Sequence, residues 1–490
     1  MRIILLLFIL FSTLHLGAQT AVEALRYSTY NIESTARNTA VGGAMSGLGA
    51  DFVSLSTNPA GLGGFRFSEW SFTPAIFHIG AKSDFENASI PNTEKESKAQ
   101  FLFSEIGFVK VRKPQEGVWY TSNFAIGYNQ LQNFNQEFLF SGNSRGSIVD
   151  RFIDQAREEG FDDFESGLAF DSGAIYRDAN SRLVSDMELN PNAQIAKEQL
   201  VTRTGSQGEL SLGLGGNYKE RMLVGISVGI PIISYTETKS YTERDDQSQV
   251  PFFENLVFTE NLRTSGVGIN AKLGVLLMPN RQLRIGGAIH TPTHYAMTDY
   301  FDTAFTYSYT PPNGTGLTSS ANRSPDGTFN YSFRSPWRYI ANAGYILGSS
   351  GFLTTEIEYL NAGRAKFQPA AIDDNLDNEI FLNSITADVR ESFRSVLNFR
   401  AGTEFAWNNL RLRGGIGLGT SPYVGENKIN AKFGTGIGLR KNRFFLDLGY
   451  RIARFQESYT PFLIGGDFEP NILNAFLDQR FVLTLGFKSD

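Results

Sequence analysis

The chain has 490 residues, with 44 basic and 50 acidic side chains and a formal net charge of −6. Hydrophobic residues (41%) and charged residues (19%) both fall below the usual soluble averages, while aromatics reach 13% and glycine occupies 49 positions. This mixture suits many strands with aromatic faces, and it excludes a helical bundle and a globally basic nucleic-acid binder; the absence of cysteine excludes disulfides, Cys-ligated zinc, iron–sulfur clusters and thiol catalysis.

Residues 1–18 read as an export signal: Met1-Arg2, an apolar run from Ile3 to Leu14, and a small residue, Ala18, before the expected cleavage at Gln19. A transmembrane anchor would need roughly 20 apolar residues. No later stretch is long enough, because the best of them, Met222–Ser234, contains glycine and proline. The exported chain is therefore either soluble or a membrane barrel. Residues 19–64 follow as an irregular segment of small residues, with Ala36-Arg37-Asn38-Thr39-Ala40-Val41-Gly42-Gly43-Ala44 and then Asn58-Pro59-Ala60-Gly61-Leu62. It is too apolar for a free tail and too broken for a strand.

From residue 65 to 490 the pattern is alternation with period two. Candidate strands lie near 67–79, 101–112, 118–131, 203–217, 222–236, 262–277, 282–296, 329–346, 352–363, 394–407, 410–420, 428–440, 443–455 and 479–487. Tight turns, such as those at Asn408-Asn409 and Lys441-Asn442, alternate with long connections, chief among them 132–202 and 364–393. A sandwich has no reason to alternate so, whereas an outer-membrane barrel has short periplasmic turns and long outer loops. The expected fold is all-β: a transmembrane antiparallel β-barrel of about fourteen strands, with an N-terminal plug and partly helical outer loops. One strand face suits lipid. The other carries charges, including Arg284, Arg338, Arg400, Arg413, Arg451, Glu356, Glu358, Glu404 and Asp447, and glycines, including Gly213, Gly215, Gly274, Gly415, Gly434, Gly436 and Gly449. So many luminal glycines suggest either barrel curvature or close approach of another backbone. Residues 19–64 folded into the lumen would supply that backbone.

Three chemical motifs are weaker. Gly142-Asn143-Ser144-Arg145-Gly146 fits a nucleophile elbow, but it lies in a long outer loop and histidine bases are scarce, so no enzyme is expected. His290 and His294, four apart on one strand face, sit well over ~10 Å apart at about 3.3 Å per residue, too far for one metal. In the outer loops, residues 148–200 and 372–393 carry helical apolar faces; these either bury against each other or form a groove for a lipid-like molecule.

The order of export signal, Ala-Arg-Asn-Thr-Ala-Val-Gly-Gly-Ala and Asn-Pro-Ala-Gly resembles the FadL-type family of outer-membrane long-chain fatty acid and hydrocarbon transporters. The motif match covers Ala36 to Leu62, and the strand count extends it over the mature chain. The resemblance implies a plugged barrel of the Gram-negative outer membrane that takes up hydrophobic small molecules passively, with no cofactor and no metal. It gives Asn58, Pro59 and Ala60 the role of hatch motif. A carboxylate head would want a luminal cation, for which Arg338, Arg400 and Arg451 are the candidates. Expected partners are a hydrophobic ligand and membrane lipid, with no nucleic acid, and the chain is expected to be monomeric. The alternative is a receptor for haem or another ligand, or a structural barrel without transport.

Overall fold

The computed structural model describes residues 14–489 except 33, 313, 315, 372–374 and 465–468, so most of the export-signal reading of 1–18 lies outside the described residues. Fourteen antiparallel strands close into one barrel: β1 Ser68–Phe85, β2 Thr93–Arg112, β3 Trp119–Asn133 continuing as Gln136–Ser144, β4 Ile195–Tyr218, β5 Met222–Arg244, β6 Phe253–Leu277, β7 Leu283–His290 continuing as His294–Tyr309, β8 Gly327–Arg334 continuing as Arg338–Ile346, β9 Gly351–Asn361, β10 Ser395–Trp407, β11 Leu410–Thr420, β12 Ile429–Lys441, β13 Phe444–Tyr459 and β14 Ile472–Ser489. The seam is β1 against β14, from Ser68↔Ser489 to Phe85↔Ile472.

The outer surface carries the exposed apolar residues a membrane requires, such as Leu212 and Leu214 on β4, Ile230 on β5 and Leu273 on β6. Trp70, Trp119, Trp407 and Phe444 ring the end with the short turns, and Trp337, Tyr339 and Tyr359 lie towards the other. Such aromatic girdles bound an apolar band about 25 Å tall in outer-membrane barrels. Among the described residues no helix is long and apolar enough to cross a membrane.

Strands β4, β5 and β6 run 24, 23 and 25 residues, although about 9–11 suffice to span. Their outer parts therefore stand beyond the membrane. Along Tyr235–Arg244 the outward positions are Thr236, Thr238, Ser240, Thr242 and Arg244, while Tyr235, Glu237, Lys239, Tyr241 and Glu243 are buried inside. Both faces are polar or mixed, so hydrophobic alternation stops at the membrane edge while the strand continues.

β7 and β8 break side by side at Pro292 and Pro336, where a missing N–H interrupts the ladder. The gap is bridged by Thr293 N donating to Ser335 Oγ (2.9 Å) and Ser335 N to Thr293 O (3.0 Å). The break also changes phase, which corrects the one-face reading of the histidines: His290 is buried inside the barrel and His294 is exposed.

The described residues also hold five α-helices: α1 Leu14–Ser28, α2 Ala36–Ala40, α3 Ile148–Glu158, α4 Ser166–Asp171 and α5 Leu376–Ser392. α3 begins at a reciprocal Ser147/Asp150 cap and buries Ile148, Val149, Phe152 and Ile153 against Phe258 and Phe305 of the wall. α5 buries Leu382, Ile385 and Val389 in a cluster with Ala21, Ala24 and Tyr27 of α1. The loop helices thus fold their apolar faces into the barrel mouth. With both termini of the barrel on the short-turn side, single cysteines at Asp163 and Asn383 are expected to react with an impermeant maleimide on intact cells. Cysteines at Lys219 and Asn408 are expected to stay protected, and labelling of all four would contradict this topology.

Candidate functional site

Residues 31–65 lie against inward-facing residues of the barrel wall. Every side of the wall holds residues 31–65 through polar contacts. Thr484 of β14 accepts from Ala36 N (2.8 Å), Asn123 of β3 donates to Leu62 O (2.6 Å), and Glu209 of β4 accepts from Ser56 (2.9 Å). Ser227 of β5 reaches Leu55 O (2.9 Å), His290 of β7 bonds Thr57 O (2.6 Å), Thr354 of β9 bonds Ala44 O (2.7 Å), and Lys432 of β12 donates to Asn31 (2.7 Å). Arg284 donates to Leu48 O, and Ser46 to Glu356.

The luminal glycines explain how the segment fits. Gly213 and Gly215 lie against Leu55 and Leu62, Gly274 against Asn58, Gly415 against Val41, Gly434 against Thr39, Gly436 against Ala40 and Gly449 against Ala36. A Cβ at any of these would collide with the segment. Curvature alone would not place them so, and close backbone approach is the reason for glycine here. Gly417 and Gly438 instead lie against luminal side chains, Lys432 and the Arg413–Asp447 pair.

Asn58 is fully buried and caps the short helix Pro59–Gly64, its Oδ1 accepting from Ala60 N (3.1 Å). Pro59 supplies the fixed φ of the first helical position, where no N–H is needed. The resulting turn sits on Gly225 and Gly274.

The candidate arginines are all inside the barrel and all carry carboxylates. Arg338 pairs with Glu358 (2.8 Å), donates to Ser28 O (3.0 Å) and covers the Tyr30 ring at 4.2 Å. Arg400 pairs with Glu356 and, at 3.4 Å, with Glu358. Arg451 holds Asp478 (2.7 Å) on the next strand. The first two share one cluster through Glu358, and Arg451 stands apart from it. A second charged layer escapes a reading of the sequence because it lies on the extended outer strands. There Arg203 pairs with Glu237 (2.6 Å), Lys239 with Glu260 (3.7 Å), and Arg26 of α1 covers Tyr235 at 4.0 Å. Around it lie two apolar clusters, one holding Phe138, Phe140, Phe152 and Phe305, the other Phe134, Tyr235, Phe333 and Phe367.

Ser144, the motif serine, is buried. Its Oγ accepts from Lys197 Nζ (2.7 Å), which also donates to the carbonyls of Ser144 (3.1 Å) and Arg145 (2.7 Å). The lysine holds a tight turn with three acceptors. Among the described residues no group of three His, Cys, Asp or Glu is placed to bind a metal.

Two features of the barrel differ in character. At the periplasmic end a cavity of about 230 Å³ is lined by Arg37, Arg440 and Lys488 and by Asp51, Glu69, Glu404 and Asp447. The other is an interruption of the ladder in the wall. Pro74 cannot donate to the ladder, and β1 and β2 bulge opposite it at Ser104. From there β2 parts from β3: the two strands pair from Arg112↔Ser122 only as far as Glu105↔Asn129 among the described residues. β3 itself breaks at Phe134 and Asn135. Farther out the gap is bridged by side chains, Lys98 with Glu137 at 3.6 Å. On its luminal side Arg480 binds Ser104 and Gln130, each at 2.6 Å, and Leu102 packs on the outer apolar cluster. The only trace of this gap in the sequence is Pro74 and the run Asn133-Phe134-Asn135.

No protein-family model and no curated protein matches the sequence. Solved structures do match. A FadL homologue from Pseudomonas aeruginosa aligns over 94% of this chain and 99% of its own, with 10% identity and a TM-score of 0.55. The toluene transporters TodX of P. putida and TbuX of Ralstonia pickettii align over 94% of this chain and 99% and 100% of their own, at 12% identity, with TM-scores of 0.49 and 0.48. Barrel, strand count and whole-length alignment agree: the chain has the FadL-type fourteen-stranded barrel fold.

Proposed function

We propose that the protein takes up hydrophobic small molecules, long-chain fatty acids or hydrocarbons, passively across the outer membrane, with residues 19–64 as the hatch. The observation that supports this reading is the end of the β2–β3 ladder at Glu105↔Asn129, beyond which Leu102 of β2 packs on the outer apolar cluster. An apolar solute gains roughly 25 cal/mol for each Å² it keeps out of water. Its favourable path runs through the aromatic clusters and sideways into lipid. The periplasmic cavity, lined by charges of both signs, is a poor exit for such a solute. A carboxylate head would reach Arg338 or Arg400 by exchanging with Glu358, and Arg451 by exchanging with Asp478. The hatch motif Asn58-Pro59-Ala60 holds the segment against β5 and β6, so it fixes the lumen while solute passes above.

The test is uptake of a labelled long-chain fatty acid by cells lacking their own transporter. The chain has no cysteine, so a Ser104→Cys, Gln130→Cys pair would be its only thiols. Wild type is expected to exceed empty vector. Oxidising the pair should bring uptake towards the vector level, and a reductant should restore it. No uptake by wild type would overturn the transport reading and favour a receptor. Uptake unchanged by a formed disulfide would overturn the lateral path alone.

A further inference from the structure

The outer wall of the barrel is not evenly convex. At its periplasmic end a groove of about 500 Å³ crosses the β1–β14 seam, walled by Trp70, Phe72, Leu439, Phe444, Leu485 and Phe487. Tilted ring pairs hold its sides, Trp70 with Phe108 at 4.3 Å between centroids and Phe444 with Phe487 at 4.9 Å. Ser71 and Gly486, paired across the seam, lie at its floor. Lys441, exposed at the end of β12, stands at the periplasmic rim, and no lining side chain is acidic. The walls therefore suit an acyl chain, and the one charge at the rim suits a phosphate at the depth where the aromatic girdle marks the interface.

We propose that this groove holds one phospholipid of the periplasmic leaflet, its acyl chain along Phe72 and Leu485 and its phosphate on Lys441. Shape and charge point to the same occupant. A soluble anion would have no use for a trough of aromatic side chains, and an alkane would have none for the lysine. The groove lies on the lipid-facing side of the wall, and Ser71 and Phe445 at its floor also line the periplasmic cavity.

Native mass spectrometry of the full chain in mild detergent, titrated with phosphatidylglycerol, tests the assignment. Wild type is expected to retain one lipid adduct. Lys441→Glu should weaken retention at least about fivefold, since a single basic residue near a lipid surface contributes on that order. Leu485→Trp should weaken it by filling the groove. Lys113→Glu, in a periplasmic turn outside the groove, should retain the adduct as wild type does. Heat-modifiable migration on gels checks that each variant is folded. Absence of the adduct from wild type, retention by either groove variant, or equal loss in Lys113→Glu would overturn the site.

Discussion

Gly225→Val is expected to unseat the N-terminal segment while leaving the barrel intact. Gly225 lies on β5 beneath the Asn58-Pro59-Ala60 turn, and a Cβ there would strike the Pro59 carbonyl and Ala60 N. Valine suits a strand, so the wall keeps its geometry and the segment absorbs the collision. Overpacking of this kind costs about 1–3 kcal/mol, which raises the undocked fraction roughly 5- to 150-fold. Entry of a small hydrophilic antibiotic should rise accordingly, and residues 36–64 should become open to protease from the periplasmic side. Gly414 on β11 provides the control, because a Cβ there meets nothing within 4 Å. Gly414→Val should therefore match wild type. If Gly225→Val also matches wild type in both assays, the seat assigned to the motif is wrong.

Glu243→Ala is expected to release the outer closure. Glu243, buried on the outer part of β5, accepts from Ser147 Oγ (2.5 Å), Ile148 N (2.9 Å) and Tyr241 OH (2.7 Å). It is the anion at the N-terminus of α3, where helix amides and the macrodipole favour negative charge. Truncation strands three buried donors at about 1–3 kcal/mol each. α3 and α4 should then open to protease added outside, and uptake of an apolar solute should rise if α3 limits entry. Glu243→Gln, which keeps an acceptor, should fall between. Unchanged protection in Glu243→Ala would rule out this anchor. The same docking carries a pH dependence. Burial raises the carboxyl of Asp150, at the start of α3, to about 6. Docked α3 therefore binds more protons than free α3 between the ordinary carboxylate range and pH 6, so docking tightens as pH falls through that window. Asp150→Asn should remove this dependence.

How far the sequence reaches is clearest strand by strand. Inside the membrane a strand must show lipid one face and the lumen the other, so period-two alternation places all fourteen strands and the side of every turn. The luminal charges are legible for the same reason: Arg338, Arg400, Arg413, Glu356, Glu404 and Asp447 lie in the inward phase and are buried there. Beyond the membrane edge the constraint ends. The outer parts of β4, β5 and β6 are therefore invisible to a periodicity argument, as is the Arg203–Glu237 layer they carry. The luminal glycines could be counted from the sequence but not explained by it. What distinguishes curvature from a seated segment is the partner atom above each one, and that atom lies up to hundreds of residues away, as with Ala36 on Gly449. The gap between β2 and β3 is likewise a property of pairing. Alternation describes one strand, but a missing hydrogen bond needs two, so only the closed barrel decides where its ladder is interrupted.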